Sequence, residues 1–195
     1  MVRDQLEAGT DPRVAAAMLE VPRHWFLPHD LRAGAYDDGA RAIGAGQTIS
    51  QPRMVARMLS ALAVQPGDRV LDIGAGSGYA ATLLARLAAP GPVLALERQG
   101  QLVLQTGPLL AAIAPNITLR HADGLAHADG AFEVIHVAAA CTDIPWALRE
   151  RLAPGGRLLA PVGPHDGSQR LLLITAQGEC WLDEVQFVPG LPGLA

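Results

Sequence analysis

Val70-Leu71-Asp72-Ile73-Gly74-Ala75-Gly76-Ser77-Gly78-Tyr79 decides the fold. An apolar run meets glycine at every second position and then enters an Ala/Leu-rich segment, the pattern of a strand, a tight turn and a helix that admits a ligand close to backbone. The alternation continues outward. Residues 69–73 read as a first strand, 79–88 as a helix, 93–96 as a strand, 101–112 as a helix, and 117–120 and 134–137 as two more strands. Such alternation specifies an α/β fold, a parallel sheet with helices on both faces. Residues 145–152 then read as a helix, Pro154-Gly155-Gly156 leads into a strand over 157–162, and 170–175 with 181–188 form a closing antiparallel pair around Gln177-Gly178.

Upstream, residues 2–28 hold two short helical patterns, the second with Asp11 as cap, Pro12 at the first helical position and Val14 and Met18 on one buried face. His24, Trp25, Phe26 and His29 read as linker residues packed on the core. After the turn-rich Tyr36-Asp37-Asp38-Gly39 comes Ile43-Gly44-Ala45-Gly46-Gln47-Thr48-Ile49-Ser50-Gln51-Pro52, small polar groups on a loop that meets a helix N-terminus. Two readings stand side by side. The loop and the free N–H groups hold a carboxylate, or Ser50 caps the helix over 52–63, whose Met54, Met58 and Leu62 share a face.

At 195 residues and with no composition break, the chain reads as one domain, with 1–63 a helical extension and active-site loop and 64–195 the sheet core. The richest apolar run is broken by Thr82, Arg86 and Pro90-Gly91-Pro92, so no bilayer span is expected. Met1-Val2-Arg3-Asp4-Gln5 carries charges with no apolar segment behind it, which argues for a cytoplasmic protein. Cys141 and Cys180 are too far apart for a metal pair and read as buried apolar residues. Every basic residue is Arg, yet the net charge is only -4 and no basic block marks a nucleic-acid surface.

The glycine turn discriminates between ligands. Its spacing is G-x-G-x-G, with Tyr79 where a dinucleotide fingerprint needs glycine. Asp72, two residues before the first glycine, repels a pyrophosphate and suits a cationic ligand. S-adenosylmethionine carries an ammonium and a sulfonium and no phosphate. Glu97 at the end of the second strand can accept from a ribose diol, and Asp123-Gly124 after the third can accept from an adenine amine. Three acids at three successive strand ends thus trace one bound S-adenosylmethionine. No metal is expected, because His121 and His127 flank Asp123 without ligand spacing; His136, inside an apolar strand, reads as a hydrogen-bonded core residue.

Together with Asp4-Gln5-Leu6, Val21-Pro22-Arg23, Glu97-Arg98, Ile135-His136-Val137, Pro154-Gly155-Gly156-Arg157-Leu158 and Phe187-Val188-Pro189, these stretches resemble the protein-L-isoaspartate O-methyltransferase family. Thr48-Ile49-Ser50-Gln51-Pro52, at its distance before the glycine turn, is the specific element. The resemblance implies a Rossmann-like class I methyltransferase sheet with an N-terminal helical extension. It implies Ser50 as the active-site serine, with Gln47, Thr48 and Ile49 lining the floor between substrate and cofactor. It likewise implies cofactor roles for Asp72, Gly74, Gly76, Ser77, Glu97, Arg98, Asp123 and Gly124.

The implied reaction methylates the free α-carboxylate of isoaspartate in damaged proteins and releases S-adenosylhomocysteine; the ester collapses to a succinimide that reopens partly to aspartate. Such a carboxylate is already ionised at neutral pH, so transfer needs neither a general base nor a metal. The expected partners are damaged proteins or peptides, with no nucleic acid and no membrane, and the enzyme is expected to be a monomer. Ala40-Arg41-Ala42 and Arg53 depart from the family pattern beside the presumed peptide groove, as do His121-Ala122 before Asp123 and the tail after Pro189. They motivate a second reading, methylation of a carboxylate on a biosynthetic peptide or small acid. A third is a non-catalytic S-adenosylmethionine-binding module.

Overall fold

The computed structural model describes residues 9–126 and 130–195; the first helical pattern, Asp4-Gln5-Leu6 and His127 lie outside the described residues. Helix α1 (Pro12–Glu20) and two 3-10 turns (Arg23–Phe26 and His29–Gly34) lead into strands β1 (Arg41–Gly44) and β2 (Gln47–Ile49) and helix α2 (Pro52–Leu62). Then come β3 (Val70–Ile73), α3 (Tyr79–Ala88), β4 (Val93–Glu97), α4 (Gly100–Ile113), β5 (Ile117–His121) and β6 (Phe132–Val137). The chain continues through α5 (Trp146–Arg149), β7 (Leu152–Val162), β8 (Gln169–Thr175) and β9 (Gly178–Val185).

Seven strands form one sheet in the order β5-β4-β3-β6-β7-β8-β9. Pairing is parallel from β5 to β7 and antiparallel for β7 with β8 and β8 with β9. From β3 the chain moves outward through β4 and β5, then returns to place β6 on the other side of β3. That reversal opens a crevice at the carboxyl ends of β3 and β6, where open α/β sheets take their ligands.

Period-two alternation sorts the strand residues onto two faces. Val70, Val134, Leu159 and Leu171 pack with Met18, Leu59, Leu83 and Leu110 from α1 to α4. Leu71, Ile135, Leu158 and Leu172 pack on the opposite side with Ile144 and Leu148. Helices therefore cover both faces, and the closing strand pair is antiparallel, as the sequence predicts.

Helix ends are tied down by side chains. Asp11 caps α1, its Oδ1 accepting from Arg13 N at 2.7 Å with Pro12 at the first helical position. Arg13 donates to Val64 O and Leu87 O, each at 2.7 Å. Arg157 donates to Leu62 O and Ala63 O, at 2.9 and 3.0 Å, and pairs with Asp68 at 2.6 Å. These carbonyls have no partner inside a helix, and a cation near a helix C-terminus also meets a favourable dipole.

Several expectations need correction. The predicted loop over residues 43–49 is the β1–β2 hairpin, its turn carried by Ala45 and Gly46 at positive φ. Gln51, not Ser50, holds the N-cap position of helix α2, and no side chain there makes a capping bond. Its buried stripe is Val55, Met58, Leu59 and Leu62, with Met54 half-buried. The helix predicted over 145–152 shrinks to α5, because Leu152 already pairs with Phe132 and Pro154-Gly155-Gly156 lies inside β7, next to a register irregularity. β9 stops at Val185 because Gln169, buried beside it, takes over the backbone: its Oε1 accepts from Phe187 N at 2.8 Å. Phe26 packs on Tyr79, but Trp25 and His29 are exposed, and so is Cys180, whereas Cys141 is buried.

Two stability predictions follow from the polar ties. Arg157→Ala strands Asp68 and two helix-end carbonyls and should cost about 2 kcal/mol in urea unfolding. Glu133 is held down to about 2 from its ordinary 4.5, chiefly by the Arg69 side-chain hydrogen bond. A depressed carboxyl contributes stability that is full above its unfolded value and lost as pH falls through its folded one. Glu133→Gln should therefore flatten the fall in urea midpoint between about pH 5 and about pH 2.

Candidate active site

The crevice is floored by the glycine turn. Gly74, Gly76 and Gly78 take φ values of 82°, 54° and 82°, a region that favours glycine. A Cβ on Gly78 would sit 2.8 Å from Thr106 and Leu110 of α4, so the turn also needs glycine for packing. Gly74 N and Ala75 N donate to Leu96 O at 2.9 and 3.1 Å. The Gly76 peptide is held at both ends: its N–H donates to Glu97 Oε2 at 2.8 Å, and its carbonyl accepts from Thr106 Oγ1 at 2.9 Å.

The cleft above this floor is lined by Gln47, Thr48, Ile49 and Ser50 on one side and by Gly74, Gly76, Ser77, Glu97 and Arg98 on the other. Nine of the sequence-predicted site residues thus meet in one cavity. A second groove adjoins it, lined by Ala40, Gln51, Met54 and Gln186 and sharing Thr48, Ser50, Ala138, Phe187 and Val188 with the cleft. Ser50, half-buried, stands where the two meet. Arg53 is not among that groove's lining residues and pairs with Asp38 at 2.7 Å.

Three predicted residues stand outside the lining. Asp72 lies behind the wall, fully buried, its Oδ1 accepting from His136 Nδ1 at 2.6 Å while Oδ2 has no hydrogen-bond partner. His136 itself lines the cleft. Asp123 accepts from Leu125 N at 3.0 Å and from Gly193 N at 2.6 Å. Gly124 is pressed on β3, where a Cβ would meet Ile73 at 2.5 Å.

The chain's last segment completes the enclosure. Residues 187–191 line the cleft, and Gly190 N donates to Ala140 O at 2.7 Å. Arg98 donates to Gly193 O at 2.9 Å, and Ala195 N returns a bond to Arg98 O at 2.8 Å. Sequence reasoning missed this strap and missed His136 as a lining residue. The only local signal for the latter is its register opposite Asp72 on the neighbouring strand.

Two side chains in and beside the cleft are set against proton abstraction near neutral pH. Burial pushes the Tyr79 phenol up to about 12 and the Cys141 thiol up to about 11. Among the described residues, no group of three or more His, Cys, Asp or Glu is placed to hold a metal ion. What the cleft offers is backbone, hydroxyls and oriented carboxylates, a set suited to holding and aligning a polar ligand.

Comparison with known proteins agrees with this geometry. The model of the Protein-L-isoaspartate(D-aspartate) O-methyltransferase (PCMT) family matches residues 1–190. A protein-L-isoaspartate O-methyltransferase of Methylorubrum extorquens is 46% identical, covering 100% of this chain and 88% of the relative. One from an Azoarcus species is 49% identical over 94% of this chain and 87% of its own length. Among solved structures, a Plasmodium falciparum protein described as a protein-L-isoaspartate O-methyltransferase, in complex with S-adenosyl-L-homocysteine, superposes with a TM-score of 0.83 at 28% identity, covering 97% of this chain and 93% of that one. By its fold, its glycine turn and these likenesses, the chain belongs to the protein-L-isoaspartate(D-aspartate) O-methyltransferase family.

Proposed function

We propose that this protein transfers a methyl group from S-adenosylmethionine to the free α-carboxylate of L-isoaspartyl residues, the first step in repairing damaged proteins. The observation that carries the reading is Ser50, placed where the glycine-floored cleft and the adjoining groove meet. A group-transfer site needs one point in contact with both reactants.

The residues present fit the cofactor. The backbone floor carries no side chain to obstruct a ligand, Glu97 keeps acceptor capacity beyond its two backbone bonds, and the buried Asp72 Oδ2 lacks a cation. Gly74, Gly76, Ser77, Glu97 and Arg98 would hold it from the lining, and Asp72, Asp123 and Gly124 from behind. S-adenosylmethionine, when bound, supplies an electrophilic methyl group on a sulfonium. Ser50 donates its hydroxyl hydrogen to the substrate carboxylate and orients it, while Gln47, Thr48 and Ile49 shape the floor between the reactants. A neutral hydroxyl suits this better than a guanidinium, which would bind the carboxylate so firmly as to blunt its nucleophilicity. Fixing both partners can supply up to about 7–11 kcal/mol of the barrier.

The same reading takes residues 1–63 and 64–195 as parts of one methyltransferase domain, with damaged proteins or peptides as partners. It takes the protein to be a cytoplasmic monomer that engages neither nucleic acid nor membrane. Among the described residues, no helix is long and apolar enough to cross a membrane. The alternative acceptor, a biosynthetic carboxylate, loses its motive at Arg53, which is paired with Asp38 outside the groove.

With labelled S-adenosylmethionine and matched isoaspartyl and aspartyl peptides, methyl incorporation should be confined to the isoaspartyl peptide; equal or absent labelling of both overturns the reading. Ser50→Ala removes one hydrogen bond to a charged group, a loss of about 1.5–3 kcal/mol. It should lower kcat/KM for the peptide by about 10- to 100-fold while calorimetry shows S-adenosylhomocysteine affinity unchanged.

A further inference from the structure

Asp72 and His136 face each other in register on β3 and β6. Only the histidine lines the cleft. A carboxylate accepts and cannot donate when ionised, so the 2.6 Å contact puts the proton on Nδ1. In the neutral ring Nε2 is then the lone-pair nitrogen, and it bonds no protein group among the described residues. This is the arrangement by which a carboxylate fixes a histidine's tautomer and the orientation of its ring.

The charge balance points to what that nitrogen meets. Asp72 is fully buried and its Oδ2 has no partner, so with the ring neutral the pair would carry one negative charge that no side chain in contact with it, among the described residues, offsets. The charged side chains that line the same cleft are Glu97 and Arg98. Glu97 has the wrong sign, and the Arg98 guanidinium donates to Gly193 O and Pro192 O of the strap. With the ring neutral, the cation that offsets this charge is one that a ligand brings.

We infer that His136, held by Asp72, is the cleft's acceptor for the ammonium of the cofactor's amino-acid end, and that Asp72 acts on that ammonium through the ring. The inference rests on the cofactor reading above and assigns a contact to a residue that sequence analysis placed in the core.

Calorimetry with three ligands separates the possibilities. S-adenosylhomocysteine carries both the ammonium and a carboxylate, decarboxylated S-adenosylhomocysteine carries the ammonium alone, and 5′-methylthioadenosine carries neither. His136→Phe fills the space without an acceptor and should weaken the first two by about 10- to 100-fold, leaving methylthioadenosine within about threefold. His136→Gln, which brings Oε1 toward the position of Nε2, should recover most of the loss. Asp72→Asn removes the charge while retaining an acceptor for Nδ1–H; it should give the same ligand-selective weakening, and it serves if His136→Phe does not fold.

Equal weakening of all three ligands would reduce His136 to packing and overturn the inference. Weakening of S-adenosylhomocysteine with no change in the decarboxylated ligand would place the ring against the carboxylate and overturn it too, as would unchanged affinities throughout. Failure of the wild-type protein to bind any of the three would instead overturn the cofactor reading, and the inference with it.

Discussion

The peptide of Gly76 is gripped from two directions, its N–H by Glu97 at the tip of β4 and its carbonyl by Thr106 on α4. Everything about the crevice depends on that grip. A turn of three glycines at positive φ has much freedom to lose on folding, and nothing in its own sequence fixes the shape a ligand needs. Glu97 links the turn to the neighbouring strand and Thr106 links it to the helix behind. Gly78 closes the arrangement, since only a residue without Cβ lets α4 approach that near. The floor is backbone because its neighbours, not its own side chains, hold it.

What was legible in the sequence was whatever local periodicity encodes. The glycine turn and the helix after it, residues 79–88, come out where the pattern puts them, as does α1 with its Asp11 and Pro12 start. The hairpin before α2 was not legible, because its turn uses Ala45 at φ 50° where a reader looks for Asn or Gly. The early end of β9 was hidden for a different reason. A buried glutamine on β8 bonds Phe187 N, a tertiary substitution for a ladder bond that no window of local sequence reveals. The short α5 records β7 beginning before the Pro-Gly-Gly run that looks like a helix stop.

The three acids at the strand ends show how a correct residue choice can still miss the arrangement. Read in sequence they are three free acceptors waiting for one ligand. In the folded chain each already serves the protein: Asp72 fixes His136, Glu97 takes Gly76 N and Gln99 N, and Asp123 takes Leu125 N and Gly193 N. A carboxylate has about four lone-pair sites, so two backbone bonds orient it and leave capacity for a ligand's hydroxyls or amine. On the proposed reading this is preorganisation, in which acceptors are aimed before binding and little ordering is left for the ligand to bear.

The same logic explains why a site with so little acid–base equipment suits its proposed chemistry. A buried phenol pushed up to about 12 and a buried thiol pushed up to about 11 cannot deprotonate a substrate near neutrality. His136 has Nδ1 committed to Asp72, so in the neutral ring one nitrogen remains for a ligand. Such a cleft accelerates reactions whose nucleophile arrives already ionised, and a carboxylate does, with an ordinary pKa of about 4. It then needs alignment more than activation. The hairpin supplies alignment by carrying Ser50 from β2 to the cap of α2, where the rigid helix start and the two-stranded ribbon fix its backbone on both sides. A serine on a free loop would offer the same hydroxyl with more freedom to lose. Fixing it between two ordered elements confines that hydroxyl to the boundary between the two cavities, a boundary that Phe187 and Val188 of the strap also line, and on the proposed reading the groove is the approach for a peptide's carboxylate.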